Sequence, residues 1–393
     1  MINIVFCSYP DYSGNARTLY DFMKKKFPNF KYTWVVRGEN HIETIKQNGD
    51  NLCSLESRDV IGVIEKADVI FSTHADLARL IKKPIEGIYI ELWHGVSPKN
   101  MGYLIQDISQ KDKEWCDTIT KNIDYYIVPS KFWVPIFSAR FHAFPKQCLP
   151  LGFPMFDDII NSAGKRNLEK ALGIDTKKYK KIIYYMPTVK QSNTREEKMD
   201  INQNNIFNIK KYSETELIKF LKDNNYLLCV KYHPSEEKTF PHIESDYIRY
   251  ISQDDLEKYD LDTNKILNAS DLLITDFSSL GLHYLLLNKP IIYLDNEVDK
   301  FNNSRGVLFG DFSFWTGKQT VDNFKDLKTM INRCIDKPLQ EELIERKNIF
   351  FKDVNDKCCQ NICDYLFEKD RLSTNIKLKE SKKRKISIFN SNR

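Results

Sequence analysis

The sequence predicts an α/β protein with two domains, each built around a parallel sheet. Short apolar runs alternate with amphipathic helical patterns in both halves of the chain, as expected for parallel strands joined by crossover helices. The 393 residues are enough for two domains that each bury a core of their own. We therefore expect a first domain over residues 1–156, a second over residues 157–367, and a basic tail over residues 368–393.

The composition is typical of a folded, water-soluble protein. Hydrophobic residues make up 41% and charged residues 29% of the chain, which argues against a disordered protein. No apolar run approaches the ~20 residues that a membrane-spanning helix needs, and the opening MINIVFCSYP lacks the features of a signal peptide. Nine cysteines stand at no metal or disulfide spacing, so we expect a reducing, cytoplasmic environment.

One turn in the second half has the features of an anion site. The apolar run Leu272–Thr275 is predicted to be a buried strand, and it ends on Asp276. Ser278 and Ser279 then open a helical pattern, so backbone N–H groups, hydroxyls and the positive end of the helix dipole converge there. The alternative interpretation is that Asp276 and Ser278 are ordinary N-caps.

Three other apolar runs also end in residues that can carry chemistry. Ile88–Leu92 leads to Trp93-His94-Gly95, Leu227–Lys231 leads to His233, and Ile182–Tyr185 leads to Thr188 and Lys190. A single histidine beside a strand is more often a structural residue. Two histidines, each followed by a Gly or Pro turn, favour an active site at the carboxyl ends of the strands, where open α/β sheets bind ligands.

Further motifs extend this pattern in a fixed order along the chain. They are Ser13–Arg17, Trp93-His94-Gly95 with Lys99, Pro129-Ser130, Gly152-Phe153-Pro154, Pro187-Thr188, Lys231–Pro234, Ser270–Ser279 and Arg305-Gly306. In this order they resemble the CDP-glycerol glycerophosphotransferase family, whose members make teichoic acids and related capsule polymers. Two positions depart from the family pattern: Met155 stands where an Arg is usual, and Lys190 where an Arg is common.

The resemblance implies a fold and a reaction. The fold is the GT-B architecture, in which two Rossmann-like domains face each other across a cleft, the first on the acceptor side and the second binding the CDP donor. The reaction moves glycerol phosphate, or a related polyol phosphate, from CDP-glycerol to a hydroxyl of an acceptor and releases CMP. The acceptor would be linked to a polyprenyl diphosphate lipid or be a polyol-phosphate chain. In that fold a C-terminal helix often returns to the first domain, and residues 353–367 are the candidate.

The resemblance and the needs of phosphoryl transfer together assign roles. His94 is the candidate general base, because a histidine of near-neutral pKa can accept the acceptor's proton. His233 is placed near the donor diphosphate, where it would donate to a phosphoryl oxygen or protonate the leaving CMP. The other donor-side residues are Thr188, Lys190, Lys231, Asp276, Ser278, Ser279 and Arg305. The acceptor-side residues are Asn15, Gly95, Lys99 and Ser130.

No metal site is predicted from the sequence. Asp260-Leu261-Asp262 matches the D-x-D with which many glycosyltransferases hold a divalent cation, but its position before a helical segment favours helix capping. A divalent cation such as Mg²⁺ stays compatible with a diphosphate donor, and no other cofactor is expected.

The tail is strongly basic. Six Lys and Arg residues against the single acid Glu380 lie between Lys377 and Lys385, followed by Ile386, Ile388 and Phe389. The tail is either a frayed terminus or an attachment to an anionic membrane, where each basic residue contributes ~1 kcal/mol. The net charge of +5 indicates no nucleic-acid partner. We expect an enzyme that is peripheral on the inner face of the cell membrane.

Two other function classes remain open. One is a GT-B glycosyltransferase that uses a nucleotide sugar, and the order of the motifs argues against it. The other is a non-catalytic, membrane-associated scaffold, and the presence of both His94 and His233 argues against that.

Overall fold

The computed structural model describes residues 1–188, 205–237, 239, 242–295, 306–317 and 319–367. The chain divides into two compact units. The first unit comprises Met1–His94, Gly102–Asp157 and the residues from Asp353 onward, and the second comprises Gly95–Met101 and Asp158–Lys352. Lys190, Arg305 and the basic tail lie outside the described residues.

The described part of the first unit contains a sheet of seven parallel strands in the order β3-β2-β1-β4-β5-β6-β7. These strands are β1 (Asn3–Cys7), β2 (Lys31–Val36), β3 (Asn51–Ser54), β4 (Val69–Ser72), β5 (Ile88–Glu91), β6 (Tyr125–Val128) and β7 (Cys148–Pro150). The helices between them are α1 (Gly14–Lys26), α2 (Ile42–Gln47), α3 (Val60–Glu65), α4 (Gln110–Asn122) and α5 (Trp133–Phe141). Helix α6 (Met155–Asn161) contains the boundary between the units.

The described part of the second unit contains a sheet of six parallel strands in the order β10-β9-β8-β11-β12-β13. These strands are β8 (Lys181–Tyr185), β9 (Tyr226–Val230), β10 (Ile248–Tyr250), β11 (Leu272–Thr275), β12 (Ile291–Leu294) and β13 (Thr320–Val321). The helices are α7 (Gly164–Leu172), α8 (Glu214–Asn224), α9 (Gln253–Glu257), α10 (Ser279–Tyr284), α11 (Phe312–Thr316), α12 (Phe324–Cys334) and α13 (Glu341–Phe350).

The central strands of both sheets are apolar because helices cover both faces of a parallel sheet. Every residue of β4, β5, β11 and β12 is buried. The run that the sequence indicated as Leu272–Thr275 is strand β11 with the same bounds. The predicted α/β class with two parallel sheets is therefore confirmed.

The last described helix, α14 (Cys358–Phe367), belongs to the first unit. The Asp157 carboxylate accepts hydrogen bonds from the backbone N–H groups of Cys358 (2.7 Å) and Cys359 (2.9 Å), which satisfies N–H groups at the start of the helix. Near the other end, Lys26 of α1 forms an ion pair with Asp364 at 2.9 Å. The C-terminal helix therefore completes the first unit, although the chain reaches it after the whole second sheet.

The D-x-D segment of the second unit serves as a cap. The Asp262 carboxylate accepts hydrogen bonds from the backbone N–H groups of Asn264 (2.9 Å) and Lys265 (3.2 Å). This is the capping geometry that satisfies the first N–H groups of a helical turn. Over the part of the chain that the structure describes, no group of three or more His, Cys, Asp or Glu side chains could hold a metal ion.

Candidate active site

His94 lies just beyond the carboxyl end of β5. Its Nδ1 is 3.1 Å from the backbone carbonyl oxygen of Thr73, which follows β4. A carbonyl oxygen can only accept, so this contact assigns the proton of the neutral ring to Nδ1. Nε2 then keeps its lone pair and can accept a proton from a substrate.

The surroundings of His94 favour its neutral form. Solvent reaches the side chain, yet the protein around it is dense enough for burial to lower its pKa below the ordinary value, and the positive charge of Arg140 acts in the same direction. The hydrogen bond to the Thr73 carbonyl opposes this effect. The lowered pKa leaves Nε2 free of a proton at neutral pH.

Two aromatic rings fix the plane of the His94 imidazole. His74 stacks on it with 4.1 Å between ring centroids and an interplanar angle of 12°, and Trp93 packs against it at 4.5 Å and 30°. Burial, together with nearby His94 and Arg37, lowers the pKa of His74 to about 2. His74 is not among the site residues predicted from the sequence, although it follows the apolar strand β4 as His94 follows β5.

The backbone around this histidine pair is strained and held by a buried carboxylate. Ala75 and Trp93 have left-handed φ angles of 55° and 56°, which cost a non-glycine residue about 1–3 kcal/mol each. Glu91, with 0% exposure, accepts hydrogen bonds from both backbone N–H groups, at 2.9 Å from Ala75 and 3.1 Å from Trp93. Burial raises the pKa of Glu91 well above its ordinary value. Glu91 therefore ties together the two turns that carry His74 and His94.

Asn15, a predicted acceptor-side residue, is engaged with the backbone. Its Nδ2 donates to the carbonyl oxygens of Leu92 (3.2 Å) and Trp93 (2.9 Å), and its Oδ1 accepts from the N–H of Met155 at 2.9 Å. The side chain is buried, as is Met155. Asn15 thus holds the His94 turn against the Gly152–Met155 turn.

Two other residues were predicted on the acceptor side. Gly95 follows His94 directly and has a φ of 139°. Ser130 is buried and lies just beyond the end of β6.

In the second unit, the ends of β8 and β11 are joined by their polar residues. The backbone N–H of Thr188 donates to Asp276 Oδ1 at 2.8 Å. The ammonium group of Lys99 donates to Thr188 Oγ1 at 3.0 Å. Asp276 therefore orients this turn, and Lys99, predicted on the acceptor side, lies beside a predicted donor-side residue.

The serine turn begins helix α10. Ser278 is its N-cap, and Ser278 Oγ accepts from the Leu280 N–H at 3.4 Å, a long hydrogen bond. Ser278 and Ser279 are both half-buried. An ideal Cβ at Gly281 would lie 2.9 Å from the ring of Tyr293, so only glycine lets the helix pack this closely on the sheet.

His233, beyond the end of β9, has the opposite tautomer to His94. Its Nδ1 accepts from the backbone N–H of Ser235 at 3.3 Å and lies 2.7 Å from Ser235 Oγ. A backbone N–H only donates, so the proton of the neutral ring is on Nε2. Solvent reaches the side chain, but the protein around the ring removes enough water to lower its pKa, and the charges of Lys231 and Lys99 act in the same direction. His233 therefore offers a neutral N–H donor at its outer edge.

Lys231, another predicted donor-side residue, is buried inside the unit. Its ammonium group pairs with Glu237 Oε1 at 3.4 Å. Burial lowers the pKa of Lys231, and Glu237 opposes that effect. The side chain supports the turn that carries His233.

Comparison with known proteins identifies the family. Residues 2–368 match the family model described as CDP-Glycerol:Poly(glycerophosphate) glycerophosphotransferase. The chain therefore belongs to this family, and the resemblance seen in the sequence is confirmed.

Curated relatives of this chain are teichoic acid enzymes. It is 28% identical over 262 residues to the teichoic acid glycerol-phosphate primase of Bacillus subtilis, covering 65% of this chain and 62% of the relative. It is 25% identical over 388 residues to the teichoic acid poly(glycerol phosphate) polymerase of Staphylococcus epidermidis, covering 93% of this chain and 50% of the relative. The teichoic acid glycerol-phosphate transferase of Staphylococcus aureus is 23% identical over 372 residues, covering 91% of this chain and 90% of the relative. The chain thus spans less than two thirds of the length of the first two.

Solved structures share the fold. The wall teichoic acid polymerase TagF, as a histidine variant soaked with CDPG, superposes with a TM-score of 0.73 at 21% identity, covering 95% of this chain and 89% of that chain. The UDP-GlcNAc 2-epimerase of Neisseria meningitidis bound to UDP-GlcNAc gives a TM-score of 0.52 at 9% identity, covering 94% of this chain and 100% of that chain. At these identities the likeness concerns the fold alone.

Proposed function

We propose that the protein transfers glycerol phosphate, or a related polyol phosphate, from CDP-glycerol to an acceptor hydroxyl and releases CMP, in the synthesis of a teichoic acid or capsule-type polymer. Membership of the family and the activities for which its relatives are named support this reaction. The observation that carries it is the tautomer of His94, which leaves a neutral Nε2 ready to accept a proton.

In the proposed step, the acceptor oxygen attacks the donor phosphorus that bears the glycerol. A new P–O bond forms, the P–O bond to CMP breaks, and the hydroxyl proton passes to His94 Nε2. The Thr73 carbonyl then stabilises the charged imidazolium, because it accepts from Nδ1–H in both protonation states. Gly95 and Ser130 are proposed to lie on the acceptor side, with Asn15 and Glu91 positioning the turn.

On the donor side, the proposed contacts neutralise the diphosphate. His233 would donate from Nε2–H, Lys99 would supply a positive charge, and the hydroxyls of Ser278 and Ser279 would add hydrogen bonds at the start of α10. Asp276 and Lys231 are proposed to act indirectly, through Thr188 and the His233 turn. Lys190 and Arg305, outside the described residues, are proposed as donor contacts on the resemblance alone.

The substitution His94→Asn tests this function. The Asn side-chain amide keeps an N–H near the position of Nδ1 for the Thr73 carbonyl, but it has no basic nitrogen. We expect CMP release from CDP-glycerol to fall ~100- to 10,000-fold with the Michaelis constant for the donor nearly unchanged. His142→Asn, at an exposed histidine of the same unit, is the matched control. Turnover of His94→Asn within threefold of the wild type would remove His94 from the mechanism.

Product mass extends the same assay. A lipid-linked acceptor that gains one glycerol phosphate indicates priming, and a ladder of masses indicates polymerisation. CDP-ribitol and UDP-sugars, tested beside CDP-glycerol, define the donor. CMP release from none of the CDP-polyols would favour a scaffold role instead.

We also propose that the protein works on the inner face of the membrane, on a lipid-linked acceptor. Within the described residues no helix is both long and apolar enough to span a bilayer. The basic tail is the proposed attachment, and its six basic residues against one acid would contribute ~5 kcal/mol if all reached anionic headgroups at low salt. A second basic surface lies on the first unit, where exposed Lys82, Lys83 and Lys121 line a recess of about 280 Å³.

Deletion of the chain from Ile376 onward tests the membrane proposal. We expect the truncated protein to lose its sedimentation with anionic vesicles, and high salt to release the intact protein, because both remove the attraction between lysines and headgroups. Phosphatidylcholine vesicles are the control. Sedimentation of the truncated protein would place the attachment elsewhere, and residues 103–144 of the first unit, which include the exposed Phe144, would be tested next.

A further inference from the structure

A buried histidine lies on the helix that starts at the serine turn. His283 is in α10 and is only 3% exposed. Its Nε2 accepts a hydrogen bond from the backbone N–H of Val96 at 3.2 Å. Because that N–H can only donate, the neutral ring carries its proton on Nδ1 and presents a lone pair to Val96. His283 therefore fixes the beginning of the segment Gly95–Met101, which belongs to the second unit.

The other end of this segment is held by the backbone. The N–H of Asn100 donates to the Gly306 carbonyl at 3.2 Å, and the N–H of Leu308 donates to the Pro98 carbonyl at 2.7 Å, around an antiparallel bridge at Lys99. Gly306 has a φ of 77°, and a Cβ there would lie 2.8 Å from Asn100 Nδ2. The segment Gly95–Met101 is thus anchored at both ends within one unit.

Lys99 lies between the two anchors. Its ammonium group donates to Thr188 Oγ1 at 3.0 Å, and Thr188 is itself held by Asp276. The charge of Lys99 is also one of those that lower the pKa of His233. A lysine side chain has four flexible carbons, so its charge stays at this place only if its backbone is fixed.

We propose that His283 is a positioning residue that acts through Lys99. By accepting from the Val96 N–H, it holds the segment Gly95–Met101 in register, so that the Lys99 ammonium stays on Thr188 beside the donor diphosphate. This inference rests on the proposed function, because it uses the donor contact assigned there to Lys99. His283 itself touches neither substrate nor reacting atoms.

A double-mutant cycle tests the inference, with CDP-glycerol binding measured by calorimetry on the full chain. Loss of a charge-assisted hydrogen bond predicts about tenfold weaker binding for Lys99→Met. His283→Leu should weaken binding to a similar extent, because the segment loses its anchor. The double variant should be no weaker than Lys99→Met alone. His283→Gln, whose side-chain oxygen can replace Nε2 as acceptor, should bind within threefold of the wild type.

Controls separate this effect from a general loss of structure. Lys219→Met and His242→Leu remove an exposed lysine and an exposed histidine from the same unit, and neither should change binding. Melting temperatures of all variants report on folding. His283→Gln is the decisive variant if His283→Leu is unstable, because it conserves the acceptor in a side chain of similar length.

Each result decides one of the proposals. Effects of Lys99→Met and His283→Leu that multiply in the double variant would overturn the inference, as would unchanged binding by His283→Leu or no rescue by His283→Gln. A wild-type protein that binds CDP-glycerol but releases no CMP with a lipid-linked acceptor present would refute the proposed reaction, while the binding series would still decide the role of His283. A wild-type protein that does not bind CDP-glycerol would overturn both.

Discussion

We expect His74 to make the free energy of unfolding fall at low pH, and a substitution that removes its imidazole to abolish this effect. His74 lies against the ring of His94 and has its pKa lowered to about 2, mainly by burial. The substitution His74→Phe keeps a flat ring in the stack but cannot bind a proton. Comparing the two proteins at two pH values isolates the contribution of His74.

The sign and size of the effect follow from proton binding. The ordinary histidine pKa is 6.5, so below pH ~6.5 the unfolded chain gains a proton at position 74 that the folded protein does not bind. The free energy of unfolding therefore falls as the pH is lowered. At pH 5 the loss from His74 is about 2 kcal/mol, from 1.5 pH units at 1.36 kcal/mol each. This figure is the same for any folded-state pKa below about 4.

Urea unfolding followed by tryptophan fluorescence measures the difference. Trp34, Trp93, Trp115 and Trp133 lie in the first unit and Trp315 in the second, so the signal reports mainly on the unit that contains His74. We expect the wild type to lose about 2 kcal/mol more than His74→Phe between pH 7 and pH 5. The variant also loses the hydrogen bond between His74 and Thr73 Oγ1. That loss lowers the free energy of unfolding of the variant at both pH values, so it cancels when the change between pH 7 and pH 5 is compared. Equal losses in the two proteins would show that His74 is protonated as readily in the folded state as in the unfolded chain.

Two further predictions concern the donor side. His233→Ala should weaken CDP-glycerol binding and lower turnover together, because the proposed Nε2–H donor contacts the diphosphate; near-normal kinetics would exclude that contact. Ser278→Ala and Ser279→Ala should each raise the donor Michaelis constant or lower turnover, since each removes a hydrogen bond to a charged group worth ~1.5–3 kcal/mol. If the serines are only caps, melting experiments will show a loss of ~1 kcal/mol of stability with unchanged kinetics.

The sequence was sufficient to predict the sheets and the turns that follow them. A strand covered on both faces must be apolar along its whole length, so runs such as Leu272–Thr275 and Ile182–Tyr185 are visible without a structure. The residues just beyond those runs must lie at the carboxyl edge of a parallel sheet, which located His94, His233 and the serine turn. Both conclusions depend on neighbours along the chain.

Tertiary structure alone decided which partners those residues contact. Lys99 was predicted on the acceptor side from the family resemblance, and backbone pairing with residues 306–308 places it in the second unit. Lys231, predicted on the donor side, pairs with Glu237 in the interior of the second unit. The contact between His283 and Val96 joins residues 187 positions apart. The spacing of apolar residues is a local property of a sequence. The partner of a hydrogen bond or of a charge instead depends on where distant segments of the chain meet, and no local pattern encodes that.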